Sequence, residues 1–521
     1  MASRNPRICY IPLDERPCNA SFPGLHLGHA VDLVVPPLSL LGAKKLPGDV
    51  DALADWLERE LPGCDACVGS VEQLVYGGLI PSRVHTEGTK TLENRLARLR
   101  DMFRRNAQIN INLFALIMRT PAYSSSDEEP DYYEHYGAEI YHRSVLTDLK
   151  NLGYEINEDE LARLEEEIPE SVIADYEHRR AVNRSILERV LELYAEGTVD
   201  YVAIPMDDSS RYGYTAADRR YVRRRIVELG LDGQVPVYPG ADETGMTLVG
   251  RAAVRRSGRT PRVFPYYREE QARRHYPKYE GLELETTVTE HIRAAGCVPA
   301  ESLEECDLVL AIHSGSRIDT EAGRQPDTDR AGETRKESLH DSFAANVREL
   351  LSRGFRVAVA DIAYTNGGDV RFVRALDGEG VLASLTAYAG WNTTGNTLGC
   401  VIASAVAQYL RADDRSRIHG LLYRLFDDAC YQVSVRNALK REPGMLQTQD
   451  DVGAHGLDPH SSPALSAERI ADKINKSWNR LELRSFEELR PEVVSAELPW
   501  NRLFEVHLRL SVHEPAASSR V

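Results

Sequence analysis

The sequence predicts an α/β protein built on parallel strands, and two features of the chain carry that prediction. Short apolar runs, such as Tyr201-Val-Ala-Ile-Pro205 and the NINLFALIM stretch from Asn110 to Met118, alternate with helical-period segments from residue 7 to about residue 410. This is the pattern of strand–helix–strand units whose sheet is buried on both faces. Nearly every apolar run also stops in carboxylate, amide, arginine or histidine residues, and the carboxyl ends of parallel strands are where chemistry collects. Eight or more such units permit a (β/α)8-like barrel, or two consecutive parallel α/β lobes with a boundary near residue 285.

The elements follow in order. Arg7 to Ile11 is a strand that stops at Asp14-Glu-Arg16-Pro17, and Val31 to Val35 is a second, stopped by Pro36-Pro37. Val50 to Leu61 has apolar residues three and four apart and reads as a helix after the turn at Pro47-Gly48-Asp49. A third strand begins at Cys67 and runs towards Tyr76-Gly77-Gly78, where glycines let a backbone approach a ligand closely. The fourth ends at Arg119-Thr-Pro121. Residues from about 125 to 197 are polar and helical in period, too long for a simple crossover, and are expected to be a helical insertion. The fifth strand ends in Asp207-Asp208, the sixth in Asp242-Glu243, and a seventh covers Arg262 to Tyr267. Leu308 to Ile312 ends in His313, Arg356 to Ala360 in Asp361 through Asn366 to Asp369, and Ser384 to Tyr388 in Trp391-Asn392. Residues 1–410 thus form an α/β catalytic region. Residues 411–521 are expected to be a mainly helical C-terminal region with a Gly/Pro/Asp/His-rich loop from Pro443 to Pro463 and a closing strand from Phe504 to Val512.

Composition bounds the partners. A formal net charge of −17 argues against nucleic acid or an anionic membrane, both of which demand clustered Lys and Arg. The first residues carry no apolar signal core and no window reaches the ~18 apolar residues of a membrane span, so a cytoplasmic protein is expected. Eight cysteines in 521 residues do not make a disulfide framework, and Cys64-Asp-Ala-Cys67 lacks the second pair of a zinc site. A homo-oligomer is compatible with all of this.

If the strands are parallel, their polar ends meet at one rim. Asp207 and Asp208 have two readings there: an acid/base pair whose like charges drive their proton affinities apart, or a turn and helix N-cap. Asp242-Glu243 has the same two readings, with Asp242 capping a helix near Met246. Asp14 with Arg16 is either a pair that orients substrate or an ion pair closing the rim. Tyr76, Arg119, Asp361 and Asn366 complete the candidate substrate contacts. Trp391 and Asn392 offer an aromatic platform beside an amide, as sugar sites do, or a buried indole beside a cap. His313 is a ligand, a proton carrier or a satisfied structural histidine. No HExxH, GxSxG or phosphate-loop pattern is present.

The stretches PLDERP, PPLSLLGAKKLPGD, YGGLIPSR, PMDDSSRYGY, GADETG and AGWNTTGNTLG, in that order, resemble the bacterial family catalogued as domain of unknown function 4127. A strand ending in Asp-Asp, with Tyr, Asn, Asp and Trp at later strand ends, is also similar to the O-GlcNAcase-like hexosaminidases. That likeness implies that Asp207 orients the substrate acetamido group and Asp208 is the general acid/base, with Asn366 or Asn392 as further contacts. Met206 stands where that family usually has a larger apolar residue. The expected activity is hydrolysis of a small, N-acetylated glycoside without a cofactor. One alternative is a hydrolase or lyase that uses a divalent metal held by Asp14, Asp207, Asp242 and His313. Another is a sugar-binding protein without turnover.

Overall fold

The computed structural model describes residues 4–315, 320–325, 334–442 and 466–513, with side chains from residue 339 in the helix that begins at Thr334. The stretch from Pro443 to Pro463 that the sequence marks as a loop lies outside the described residues. The parallel strands fall into two sheets, which is the two-lobe arrangement and not a closed ring. Closure requires every edge strand to find a partner. In the first sheet Asp32–Val34 and Val237–Pro239 stand as the two edges. The chain divides accordingly into one unit of Met1–Arg259 with Tyr279–Gly296, and a second of Thr260–Lys278 with Cys297–Val521. Residue 285 lies inside the segment that returns to the first unit, and the described residues from 411 onward belong to the second unit.

The first sheet contains β1 (Arg7–Ile11), β2 (Asp32–Val34), β3 (Ala66–Ser70), β4 (Asn110–Phe114), β5 (Tyr201–Met206) and β6 (Val237–Pro239). Their order is β2-β1-β3-β4-β5-β6 and every pairing is parallel. All six residues of β5 are buried, without the alternation of a half-exposed strand, because helices cover both faces. The shared strand direction sends the residues after β1, β3, β4, β5 and β6 out of the same edge of the sheet.

Within the expected helical insertion, residues form the helices Tyr133–Asn151, Glu158–Glu167 and Glu170–Ala195. The last of these carries Arg180, only 1% exposed. Arg180 pairs with Asp218 at 2.5 Å and donates to the carbonyls of Met118 at 2.9 Å and Arg119 at 3.0 Å. It thereby fixes the irregular segment after β4 that leads to Arg119.

The second sheet contains β7 (Arg262–Tyr267), β8 (Val298–Pro299), β9 (Leu308–His313), β10 (Val357–Asp361) and β11 (Ala387–Ala389), again all parallel, in the order β8-β7-β9-β10-β11. Beyond it come the helix Asp414–Arg424, a π-helical run Leu425–Val435 and the helix Arg436–Lys440. The helix Ala467–Leu481 packs on an antiparallel pair, β12 (Glu492–Glu497) and β13 (His507–Ser511). The closing strand read from Phe504 is β13; β12, in which Glu492, Val494 and Glu497 are exposed, was not foreseen. All eight cysteines are free, and no helix among the described residues is long and apolar enough to cross a membrane.

Replacing Arg180 by Met leaves an oxygen of Asp218 and two carbonyls without their donor in the core. Breaking a buried pair in this way costs about 3–5 kcal/mol. Chemical denaturation of Arg180→Met is expected to show a midpoint well below wild type; a loss under about 1 kcal/mol contradicts the anchoring role.

Candidate active site

β1 runs into Asp14 and Arg16, and Pro17 then opens the short helix Pro17–Ala20 that carries Asn19. All three side chains are buried. The Arg16 guanidinium sits between two carboxylates, 2.7 Å from Asp14 and 2.6 Å from Asp242 at the end of β6. Asn19 donates to both, at 2.9 and 3.2 Å. The Asp14–Arg16 pair read from the sequence is therefore present, with Asp242 as its third member. Asp242 does not cap a helix, because Thr244–Ser257 begins after Glu243. Glu243 turns away from Arg16 and accepts from the Ala241 N–H at 2.9 Å, with His291 Nε2 at 3.3 Å.

A second network lies at the ends of β4 and β5. Arg83, from the last turn of the helix Leu79–Val84, binds Asp207 and reaches Glu128 at 3.0 Å. Arg119 contacts Glu129 at 2.8 Å, Glu128 at 3.1 Å and Asp208 at 3.1 Å. Two guanidinium groups thus serve four carboxylates. The helix-cap reading of Asp207 and Asp208 does not hold, since the next helix, Tyr214–Glu228, starts after Gly213. The loop is instead held by Ser209, whose N–H donates to the Tyr279 carbonyl at 2.7 Å and whose hydroxyl accepts from the Gly281 N–H at 3.0 Å.

Asp207 and Asp208 are driven in opposite directions. Burial opposes the charge of Asp207, but Arg83 and Arg119 outweigh it and hold the carboxyl below the ordinary aspartate range. Burial also raises Asp208; the charge of Asp207 beside it adds to the rise, and Arg119 offsets only part of it. The Asp208 side chain is 35% exposed against 12% for Asp207, so the member with the raised proton affinity is the one that solvent reaches more.

Glu72, which sequence reasoning passed over, stands behind this pair. The helical turn Glu72–Tyr76 follows β3 directly and buries the Glu72 carboxyl, which accepts from the Leu116 N–H at 2.7 Å and the Ser70 hydroxyl at 3.1 Å. Burial pushes Glu72 up to about 7, with a further rise from the charge of Asp207. Glu72, Tyr76, Arg83, Asn183 and Asp207 line one small cavity. Tyr76 is buried with its ring 4.9 Å from His85, and so faces this interior and not an open rim. Gly77 and Gly78 have positive φ, and a Cβ on Gly77 lies 2.8 Å from the Gly48 nitrogen. The close backbone approach there is the chain's own.

The other predicted residues belong to the second unit. His313 is fully buried with its ring stacked 3.8 Å from Phe372. Its Nε2 lies 3.2 Å from Asp369 Oδ2, an oxygen that His340 Nε2 approaches to 2.9 Å. Burial pushes His313 down to about 4. Asp361 accepts from the Tyr388 hydroxyl at 2.8 Å and the Asp369 N–H at 2.7 Å, and burial together with the Asp369 charge raises its carboxyl well above the aspartate range. Trp391 is 3% exposed with the Arg424 guanidinium 5.5 Å from its ring, so it is a core residue and not an open stacking platform. Asn366 and Asn392 both have positive φ, and the Asn366 N–H donates to the Asn392 carbonyl at 2.8 Å. The helix Thr394–Leu410 has Thr393, not Asn392, at its cap position.

The metal set Asp14, Asp207, Asp242 and His313 is not assembled within either unit. The three aspartates belong to the first unit, where arginines hold them, and His313 belongs to the second. His313, His340 and Asp369 do bring three donor atoms within 4.8 Å of one another. Arg268, which has donors only, lies 3.3 Å from His313 Nδ1 and so places the ring proton on Nε2. In this arrangement Nε2 donates to Asp369, and a metal there requires Arg268 to leave Nδ1.

Fold and site together define a parallel α/β protein whose first unit gathers buried arginines and carboxylates at the carboxyl ends of its strands. The chain belongs to the family described as protein of unknown function (DUF4127), whose model matches residues 8–509. No curated protein matches the chain. Arg83, Glu128, Glu129 and Asn19 join Glu72 as site residues that sequence reasoning missed; Arg83 alone had a signal, as the last residue of YGGLIPSR.

Glu72 provides a test of the site's electrostatics. Its folded value lies above the unfolded one, so between pH 4.5 and about 7 the unfolded chain releases a proton that the folded chain keeps, and stability falls as pH rises. Glu72→Gln removes that loss. Its stability relative to wild type is expected to grow across this window by about 3 kcal/mol and to level off above it, measured by denaturation at a series of pH values. A pH-independent difference contradicts the assignment.

Proposed function

We propose that the protein is a glycoside hydrolase acting on a small, N-acetylated glycoside, with Asp208 as general acid/base and Asp207 as the residue that orients the acetamido group. The observation that carries this reading is the opposed displacement of two adjacent carboxyls, the arrangement that assigns acid and base roles in one site. Asp208, the more exposed carboxyl and the one with the raised proton affinity, donates a proton to the glycosidic oxygen as the C1–O bond breaks. The acetamido carbonyl oxygen attacks C1 from the other side, while ionised Asp207 accepts a hydrogen bond from the acetamido N–H. Water then opens the cyclic intermediate at C1 and returns its proton to Asp208. Arg83 and Arg119 hold both carboxyls in register.

The test is hydrolysis of a panel of chromogenic N-acetylated and plain glycosides. Asp208→Ala is expected to lower kcat by about 10²- to 10⁴-fold. The rate should climb as pH rises through the lowered value of Asp207 and decline as pH rises through the raised value of Asp208. Arg119→Gln removes a cation that restrains the rise of Asp208, so it should move the alkaline limb to higher pH. Cleavage of no glycoside by wild type, or full activity in Asp208→Ala, ends the proposal; ligand binding without turnover replaces it with the sugar-binding alternative.

A further inference from the structure

The second unit contains a cleft of about 270 Å³, open to solvent. Its walls come from residues 321–324, from Asn366, and from the helical run that continues out of the π-helical segment. Gln432, Arg436 and Lys440 recur four residues apart along that run and share one face. In a chain of net charge −17, this cleft is lined by four cations, Arg324, Arg436, Lys440 and Arg441. Glu321 is the one carboxylate among the described residues lining it, and it is engaged by Lys278 at 2.6 Å and by Asn366 Nδ2 at 2.8 Å. Burial, and then the neighbouring Arg436, pushes the Lys440 ammonium down to about 8, so the cations already crowd one another. On the same wall Asn366 is 5% exposed, and its Oδ1 accepts no hydrogen bond among the described residues. A buried amide oxygen left this way costs about 1–3 kcal/mol unless a donor reaches it.

We infer that this cleft binds a small hydroxylated anion, a sugar phosphate or sugar acid, whose charged group meets Arg324, Arg436, Lys440 and Arg441 and whose hydroxyl donates to Asn366 Oδ1. Guanidinium and ammonium groups are the donors suited to phosphate and carboxylate. The unfilled acceptor of Asn366 separates a polyol-bearing anion from a bare one. This site lies in the second unit, apart from Asp207 and Asp208 in sequence and in sheet, and does not rest on the hydrolase proposal.

Isothermal titration of the full chain with glucose 6-phosphate, gluconate, glucose and inorganic phosphate tests it. Saturable binding is expected for glucose 6-phosphate or gluconate, whichever charged group the cleft takes, with glucose silent and inorganic phosphate weaker. Lys440→Ala with Arg441→Ala, both at a partly exposed helix end, should weaken binding by about tenfold or more. Arg324→Ala, on the exposed opposite wall, serves as the second variant if the first does not fold. Asp208→Ala should bind the anion as wild type does, which keeps this outcome distinct from that of the hydrolase test. No saturable binding of either hydroxylated anion, unchanged affinity in the charge variants, or inorganic phosphate binding as tightly as the sugar anions overturns the inference.

Discussion

A charge imbalance below the surface governs the first unit. Arg83 and Arg119 supply two positive charges to Asp207, Asp208, Glu128 and Glu129, which carry four negative ones when ionised. In a medium of low polarisability a surplus of anions is expensive, and the least costly relief is to keep a proton on one of them. Asp207 is bound by Arg83 and Glu129 is 1% exposed against Arg119; Asp208, with its single arginine contact and a charged neighbour, is the member whose proton affinity is raised. The same logic extends inward to Glu72, which burial raises to about 7 with no cation bonded to it among the described residues. The raised proton affinities here follow from burial and neighbouring charge, before any substrate is considered.

The strands and their polar ends were legible because buried parallel strands read as unbroken apolar runs. What the runs do not encode is which strand lies beside which, and so one expected rim became two. Glu128 and Glu129 sit in a Ser/Asp/Glu stretch that looks like solvated loop, and only the fold brings them against arginines 9 to 46 residues away in sequence. Glu72 was hidden by a similar effect: it lies just past an apolar strand, among Val71, Leu74 and Val75, with nothing local to mark it as buried. Trp391 shows the opposite error, since an aromatic beside an amide carries no sign of whether it faces water.

Several motifs that look chemical turn out to fix backbone. A Cβ on Gly368 would stand 2.3 Å from the Tyr388 hydroxyl, and one on Gly390 would stand 2.7 Å from Gly368 Cα. The glycines of the Asn366-Gly-Gly-Asp369 and Ala389-Gly-Trp391 stretches therefore let two strand-end loops cross at contact distance. Asp428 secures the crossing by accepting from the Gly390 N–H at 2.7 Å, while its own backbone carbonyl accepts from Gly368 at 2.9 Å.

The path of the chain between its two units has an effect on how the protein can be dissected. The polypeptide leaves the first unit after Arg259, re-enters it at Tyr279 and departs again after Gly296. The returning piece supplies the carbonyl of Tyr279 and the amide of Gly281 that clasp Ser209, as well as His291 against Glu243. A fragment trimmed at residue 259 would lack all of these, so neither half is obtained by a single cut, and a faithful excision of the first must splice the returning piece back on.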